Sequence, residues 1–138
     1  MFGNGQTKWP VQSVRSKRAN TTVNADIYMA HGINEYSGRT ATAASVHLRN
    51  GFRVIGIDMP SFGRSSGLHG YLPTLRWNEG ALNAVMLHVH MWDEYEQLEN
   101  LANRKRFAQG ASMGGFTCAY HAALHPPPSV SYTHLRAH

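Results

Sequence analysis

Cysteine and long apolar runs are what this 138-residue sequence most clearly lacks. Its one cysteine, Cys118, excludes an intramolecular disulfide framework, and its apolar neighbours predict a small buried side chain. No stretch is as long as the run of about 18 consecutive apolar residues that is needed to cross a bilayer. The first twenty residues also lack the apolar core of a secretory signal. We therefore expect one soluble, cytoplasmic domain.

Acidic residues are also scarce. The sequence has 8 Asp and Glu against 13 Lys and Arg, a net charge of +5 and a pI near 9.7. The basic residues are scattered, apart from Arg15, Lys17 and Arg18 with Lys8 nearby, and no aromatic residues interleave with them. A solvated loop explains this cluster better than a nucleic-acid patch. We expect no nucleic-acid partner, and a basic nucleic-acid binder is the weakest of three functional hypotheses.

Short apolar runs alternate with stretches of helical periodicity along the chain. The predicted elements are a strand at Ala25–Ala30, a helix over 40–50, a strand at Phe52–Ile57, a loop over 59–73, an amphipathic helix over 79–103, a strand at Phe107–Gln109 and a helix at Met113–Leu124. A strand pair around Trp9–Val14 and a turn at Arg18–Thr22 precede them, and Arg104 to Arg106 would close the long helix. This order predicts an α/β fold, with helices on both faces of a mostly parallel sheet.

Gly110-Ala111-Ser112-Met113-Gly114 is a G-x-S-x-G sequence between a predicted strand and a predicted helix. Serine esterases and lipases use such a turn to raise a nucleophile above the carboxyl edge of a sheet. The turn requires unusual dihedral angles and close packing, which the small residues Gly110 and Gly114 permit. The helix that follows points backbone N–H groups at a developing oxyanion. Ser112 is therefore the candidate nucleophile.

Two further motifs accompany this turn in the same order as in a known family. They are His31-Gly32-Ile33-Asn34-Glu35-Tyr36-Ser37-Gly38-Arg39 and the segment from Gly56-Ile57-Asp58 to Gly70-Tyr71. Together the three resemble the monoacylglycerol lipase and lysophospholipase branch of the α/β hydrolases, of serine aminopeptidase S33 type. The resemblance covers roughly residues 25–127. It implies an α/β-hydrolase fold and the hydrolysis of carboxylic esters by a serine nucleophile.

The resemblance also implies roles for single residues. Ser112 matches the nucleophile, and the backbone amides of Met113 and Ile33 match the two oxyanion donors. The substrate-binding positions would be His31, Gly32 and Glu35. Three residues, Glu35, Ser37 and Arg39, would shape the acyl-site entrance. Asp58 matches a structural aspartate, followed by a tight loop that contains Gly63, Ser65 and Gly67. The sequence departs from the pattern at Ser61, where glycine is usual, and at Ala111, where His or Gln is common.

No Asp or Glu follows Ser112, so a triad in the order Ser, acid, His has no acid here. Members of the family are about twice as long, and their lid and triad partners lie further along the chain. We therefore expect residues 1–128 to be the N-terminal half of an α/β-hydrolase core, truncated before the lid and the C-terminal strands. Residues 129–138 match neither the family nor a periodic element and are expected to be a non-native tail.

The expected substrate is a small lipid ester, a monoacylglycerol or a lysophospholipid. The lid that this sequence lacks would supply any peripheral membrane contact, and the oligomeric state is not predicted. Without the triad acid and base, this chain is expected to be inactive. A triad assembled from upstream residues such as Asp58 and His69 is not favoured. The alternative hypothesis is a non-catalytic α/β module that binds a small acyl ligand or a protein partner.

We expect no cofactor and no metal. His121 and His125 are one helical turn apart, a spacing that can bind zinc, but His-Ala-Ala-Leu-His lacks the glutamate of H-E-x-x-H. A surface or partly buried histidine pair is therefore favoured over a metal site. His88 and His90 are two residues apart in a predicted helix, so they face different directions and are not expected to act as ligands.

Overall fold

Five strands of the computed structural model form one sheet in the order β1-β3-β2-β4-β5, and the α/β prediction is confirmed. The structure describes residues 12–14, 23, 25–97, 101, 104–126 and 130–136. Its elements are β1 (Gln12–Val14), β2 (Ala25–Ala30), a 3-10 turn (Ser37–Thr40), α1 (Ala41–Arg49), β3 (Arg53–Ile57), α2 (Leu75–Tyr95), β4 (Lys105–Ala111), α3 (Met113–Leu124) and β5 (Val130–Arg136). Strands β3, β2, β4 and β5 run parallel, and β1 pairs antiparallel with β3.

Strand β2 lies at the centre of the sheet, and all six of its residues are buried. Its side chains alternate between two apolar clusters, as the period of a strand requires. Tyr28 and Ala30 belong to a cluster with side chains of α2 and α3, whereas Ile27 and Met29 pack with side chains of α1. Cys118 is buried in the first of these clusters, as predicted. Helices therefore cover both faces of the central strands.

Helix α2 is the element whose predicted bounds differ most from the structure. It begins at Leu75, four residues before the predicted start, because the Thr74 hydroxyl caps it by accepting a hydrogen bond from the Arg76 N–H. It ends at Tyr95 in a turn in which Gln97 adopts a left-handed φ of 53°. Of the apolar positions that predicted this helix, Trp92 is exposed, whereas the others face the core.

The prediction that Arg104, Lys105 and Arg106 close α2 is wrong. Lys105 and Arg106 are the first residues of β4, which extends the predicted strand at both ends. The predicted β2, α1, β3 and α3 agree with the structure to within one residue. Gly51 follows α1 with a left-handed φ of 80°, which glycine adopts readily.

The structure tests the predictions for the two ends of the chain only in part. In the segment around Trp9–Val14, residues 12–14 form β1 and residues 9–11 lie outside the described residues. The turn at Arg18–Thr22 and the basic cluster at 15–18 also lie outside them. The structure places β5 at Val130–Arg136, where the sequence pattern predicts no element. The non-native origin of residues 129–138 stays a prediction. None of the helices in the described part of the chain is long and apolar enough to span a membrane.

A buried ion-pair network lies at the edge of the sheet where the parallel strands begin. The Arg53 guanidinium donates to both carboxylate oxygens of Asp26, at 2.8 and 2.6 Å, and to both of Asp93, at 2.7 and 2.5 Å. Arg104 Nε lies 3.0 Å from Asp26 Oδ1, without hydrogen-bond alignment. Asp26 and Asp93 are almost fully buried, and Arg53 and Arg104 together compensate their two charges. Arg53 also joins β2, β3 and α2.

Replacing Arg53 by Met leaves two buried carboxylates without their main partner. We expect Arg53→Met to lower the free energy of unfolding by about 3–5 kcal/mol, the usual effect of breaking a buried ion pair. Urea unfolding followed by circular dichroism measures this loss. Arg49→Met, at an exposed position at the end of α1, is the matched control. A loss for Arg53→Met no larger than that of the control would contradict the role of the network.

Candidate active site

The two loops that carry the predicted site leave the same edge of the sheet. Strands β2 and β4 are parallel neighbours, with Ala30 opposite Gly110 in the register. The residues that follow each strand, His31 and Gly32 in one case and Ala111 and Ser112 in the other, therefore emerge side by side. A Cβ atom placed on Gly32 would lie 3.7 Å from the Ala111 carbonyl oxygen. The structure thus brings together two motifs that are about 80 residues apart in the sequence.

Ser112 lies at a sharp turn between β4 and α3. Its φ is 51° and its ψ is −121°, a conformation that residues other than glycine rarely adopt. Such strain persists only where the surrounding structure imposes it, and it is concentrated at functional sites. The residue is exposed, and its hydroxyl makes no capping hydrogen bond to α3. The backbone therefore holds the Ser112 side chain exposed at a strained strand-to-helix turn, the geometry that a G-x-S-x-G nucleophile requires, and its role as nucleophile stays a prediction.

The glycines on either side of Ser112 allow two backbones to approach closely. A Cβ atom on Gly110 would overlap the carbonyl group of Gly114 and lie 2.7 Å from the Gly115 nitrogen. A Cβ atom on Gly114 would overlap the Ala30 carbonyl and lie 2.7 Å from the His31 carbonyl oxygen. Both positions therefore require glycine for lack of space, and α3 begins directly against the end of β2.

The first turn of α3 supplies the backbone amides expected at an oxyanion site. The first helical hydrogen bond runs from the Phe116 N–H to the Ser112 carbonyl, so the amides of 113–115 have no partner within the helix. The Met113 side chain is buried in the core, which fixes the orientation of its peptide group. The Met113 amide is therefore placed next to the nucleophile, at the positive end of the helix dipole.

The His31 ring orients the loop that carries the second predicted donor. Its Nε2 accepts a hydrogen bond of 3.0 Å from the Met59 N–H, so the ring proton is on Nδ1 and is donated to the Gly32 carbonyl at 2.7 Å. The side chain is buried, with both ring nitrogens engaged. His31 therefore cannot take the proton of Ser112 in this arrangement, and its direct contact with substrate stays a prediction.

Glu35 closes the same loop. Its Oε2 accepts a hydrogen bond of 2.8 Å from the Gly32 N–H, which leaves the next amide, that of Ile33, as the candidate oxyanion donor. The Ile33 side chain is exposed at the edge of the site. The described geometry is compatible with the predicted role of the Ile33 amide, which stays a prediction together with the substrate contacts of Gly32 and Glu35.

A cavity of about 540 Å³ lies beside the Ser112 turn, between the end of the sheet and the start of α1. Glu35, Arg39 and Gln109 line it, together with Ala111, the residue before Ser112. Glu35 and Arg39 are two of the three residues expected to shape the acyl-site entrance, whereas Ser37 binds Asp58 instead. The cavity offers space of ligand size next to the candidate nucleophile.

Asp58 stabilises the loops next to the site through hydrogen bonds to backbone groups. Its carboxylate accepts hydrogen bonds from the backbone N–H groups of Ser37, at 2.7 Å, and Arg64, at 2.9 Å, and its carbonyl accepts one from the Ser65 hydroxyl. Burial raises the pKa of Asp58, but these hydrogen bonds outweigh burial and hold the pKa below its ordinary value of 3.8. Gly63 must be glycine, because a Cβ atom there would lie 2.5 Å from the Asp58 carboxyl carbon.

The Asp58 loop also explains one departure from the family pattern. Ser61 has a left-handed φ of 67°, which accounts for the glycine that is usual at this position. Its side chain is buried and fills the space against Gly67, where a Cβ atom would overlap the Ser61 hydroxyl. The loop therefore accommodates serine here at the cost of some backbone strain.

Among the described residues, one group of titratable side chains could hold a metal ion. Glu79 of α2 lies between His121 and His125, and their ligand atoms are all within 4.8 Å of one another. Sequence reasoning considered the two histidines but not Glu79, which is 42 residues before His121 and shares no local pattern with it. None of the three lines the cavity beside Ser112.

Comparison with known proteins identifies the family to which this chain belongs. The family model of the serine aminopeptidases, S33, matches residues 21–133, which is most of the chain. The chain therefore belongs to this family of α/β hydrolases. The Ser112 turn, the His31-Gly32 loop and the Asp58 loop all fall within the matched residues.

Solved structures show the same fold. A monoacylglycerol lipase of Paleococcus ferrophilus is 23% identical with a TM-score of 0.64, over 82% of this chain and 39% of the lipase. An esterase of a marine microorganism is also 23% identical, with a TM-score of 0.53, over 78% of this chain and 35% of the esterase. MenH from S. aureus is 19% identical with a TM-score of 0.55. The chain spans well under half the length of these proteins, and no curated protein matches it.

Adding a methyl group at Gly114 tests the close approach of α3 to β2. We expect Gly114→Ala to lower the free energy of unfolding by about 2–4 kcal/mol, because its Cβ atom overlaps the Ala30 backbone. Gly80→Ala is the matched control: nothing lies within 4 Å of a Cβ atom at this exposed position of α2. The control should stabilise the chain by about 0.5–1 kcal/mol. Equal effects of the two substitutions in urea unfolding would contradict the packing described.

Asp58→Asn removes the charge that the Ser37 and Arg64 amides stabilise. We expect a loss of about 2–3 kcal/mol in the free energy of unfolding near pH 7. Because the folded-state pKa is lowered, the stabilisation is present above the unfolded pKa and disappears as the pH falls through the folded value. The difference between wild type and variant should therefore begin to shrink as the pH falls below the unfolded pKa of about 4, as urea unfolding at several pH values will measure. A difference that does not change with pH would contradict the role assigned to the charge.

Proposed function

We propose that the protein to which this chain belongs is a serine hydrolase of carboxylic esters, with a monoacylglycerol or a lysophospholipid as substrate. The observation that carries the proposal is the strained, exposed Ser112 at the start of α3, beside the His31-Gly32 loop. A likeness in fold to a monoacylglycerol lipase and to an esterase supports the class of substrate.

The reaction would follow from the positions of the backbone groups. Ser112 Oγ attacks the ester carbonyl carbon, and the amides of Met113 and Ile33 stabilise the negative charge on the carbonyl oxygen. The tetrahedral intermediate collapses, the C–O bond to the alcohol breaks and an acyl-enzyme forms. Water then releases the fatty acid. The cavity beside Ala111 is the proposed site for part of the bound ester.

The base and the acid are proposed to come from the rest of the full-length protein. A serine hydroxyl is a weak nucleophile until a base takes its proton, and His31 has both ring nitrogens engaged. The present sequence has no Asp or Glu after Ser112, and the chain spans 39% of the lipase it resembles. Loss of triad members costs about 10⁴–10⁶ in rate. We propose that the 138-residue chain alone turns over esters very slowly.

The surroundings of the full-length enzyme are proposals of the same kind. Its substrate would be a small lipid ester, and it would not bind nucleic acid. It would be located in the cytoplasm. It would contact membranes peripherally, through a lid outside this sequence.

A fluorophosphonate probe tests the proposal, because it reacts with activated serine nucleophiles. We expect slow labelling of the 138-residue chain, and labelling faster by about 10⁴-fold or more in a protein that carries the downstream sequence. Ser112→Ala should abolish labelling in both, whereas Ser66→Ala, at an exposed position of the Asp58 loop, should leave it unchanged.

Two outcomes would contradict the proposal at different points. Rapid labelling of the 138-residue chain that disappears in Ser112→Ala would show that it already contains its base. The absence of labelling in the full-length protein would favour the alternative, a non-catalytic α/β module that binds an acyl ligand. Release of fatty acid from monoacylglycerol and lysophospholipid by the full-length protein would then compare the two substrates.

A further inference from the structure

A buried carboxylate lies between two imidazoles where α2 packs against α3. Glu79 Oε1 is 3.0 Å from His121 Nδ1 and 3.1 Å from His125 Nε2. The two rings are stacked at a tilt, with centroids 4.5 Å apart. His121 and His125 are separated by one turn of α3 and therefore lie on one face, towards α2. Three side chains that are good metal ligands thus converge on one point.

The charge of this cluster favours a cation. The side chains of Glu79 and His121 are only 8% and 4% exposed. A buried carboxylate needs a compensating positive charge, and within the described part of the chain its ion-pair partners are the two histidines. No Lys or Arg in that part forms an ion pair with it, in contrast to Asp26 and Asp93, which pair with Arg53. A divalent ion would neutralise the carboxylate without requiring either imidazole to be protonated.

The spacing of the ligand atoms also suits a metal ion. In a tetrahedral zinc site with bonds of about 2.0–2.1 Å, neighbouring ligand atoms lie about 3.3 Å apart. The two Glu79 distances of 3.0 and 3.1 Å are close to this value, and the two histidine nitrogens lie within 4.8 Å of each other, so side-chain shifts would admit an ion. The His125 side chain is 44% exposed, which leaves a path for the ion and a fourth position for water.

We propose that Glu79, His121 and His125 form a binding site for a zinc-class transition-metal ion that joins α2 to α3. Two imidazoles and one carboxylate are a donor set that zinc and its neighbours prefer, whereas magnesium and calcium favour oxygen ligands alone. The site is separate from the cavity beside Ser112, and its role is structural. By joining the two helices that cover one face of the sheet, the ion would hold α3, whose first residues carry the Ser112 turn.

Cobalt and zinc titrations test the site directly. The 138-residue chain would be prepared without a polyhistidine tag and treated with a chelator. We expect one Co²⁺ to bind with the intense visible absorption of tetrahedral coordination, and Zn²⁺ to displace it. Because changing even an outer-shell partner typically costs about 10–100-fold in metal affinity, loss of a direct ligand should cost at least about a hundredfold. His125→Ala and Glu79→Gln should both show this loss.

The exposed His88 on α2 provides the matched control, since His88→Ala removes a histidine outside the cluster. It should leave the cobalt spectrum and affinity unchanged. His125 is at the end of α3 and half exposed, so His125→Ala should fold even if Glu79→Gln does not. A thermal-unfolding series adds a second readout. Zn²⁺ should raise the midpoint of the wild type and of His88→Ala, but not that of His125→Ala.

Several results would overturn the proposal. Absence of cobalt binding to the folded wild type would mean that Glu79, His121 and His125 are joined by hydrogen bonds alone and do not bind a metal ion. Binding that His125→Ala and Glu79→Gln do not weaken would place the metal at other histidines. A midpoint that zinc raises equally in wild type and His125→Ala would exclude the proposed link between the helices.

Discussion

The close approach of two backbones at Gly114 is the constraint on which the site depends. The first turn of α3 lies so near the end of β2 that a single Cβ atom would overlap the Ala30 carbonyl. This contact places the Ser112 turn beside the His31-Gly32 loop and points the helix amides towards the space between them. The left-handed φ of Ser112 follows from the same contact, because the chain must leave β4 and enter α3 within one residue. Packing, and not local preference, therefore determines the conformation of the candidate nucleophile.

The polar groups at the two edges of the sheet have different roles. At the edge where the strands begin, Arg53 pairs with both Asp26 and Asp93 and joins α2 to two strands. At the edge where they end, the polar groups satisfy one another within loops: His31 with Met59 and Gly32, and Asp58 with two backbone amides. The first edge thus holds the elements together, while the second leaves the Ser112 side chain exposed at the start of α3. Such a division is common in parallel sheets, whose carboxyl ends carry the chemistry.

Much of the fold and the position of the turn that carries Ser112 could be predicted from local pattern. Apolar runs located β2, β3 and α3, because a buried strand and a buried helix each require continuous apolar contact. The bounds of α2 could not be predicted in this way. Its first turn buries only Asn78 and depends on the Thr74 cap. Its last buried residue, Asp93, is charged and is stabilised there by Arg53. The tautomer of His31 and the hydrogen bond from Gly32 to Glu35 could not be predicted either. Both depend on which backbone amide the folded loops place next to the side chain.

The sequence by itself determined the α/β class, the order of the elements and the three motifs, because these depend on the spacing of residues along the chain. Tertiary structure alone decided which distant groups meet. It placed the His31 loop beside Ser112, joined Asp26, Arg53 and Asp93, and inserted Glu79 between two histidines that the sequence had suggested were an ordinary pair. The physical reason is that charge compensation and steric fit act over a few ångströms of space, whatever the separation in sequence. A local pattern records periodicity, whereas a site is defined by the partners that folding brings together.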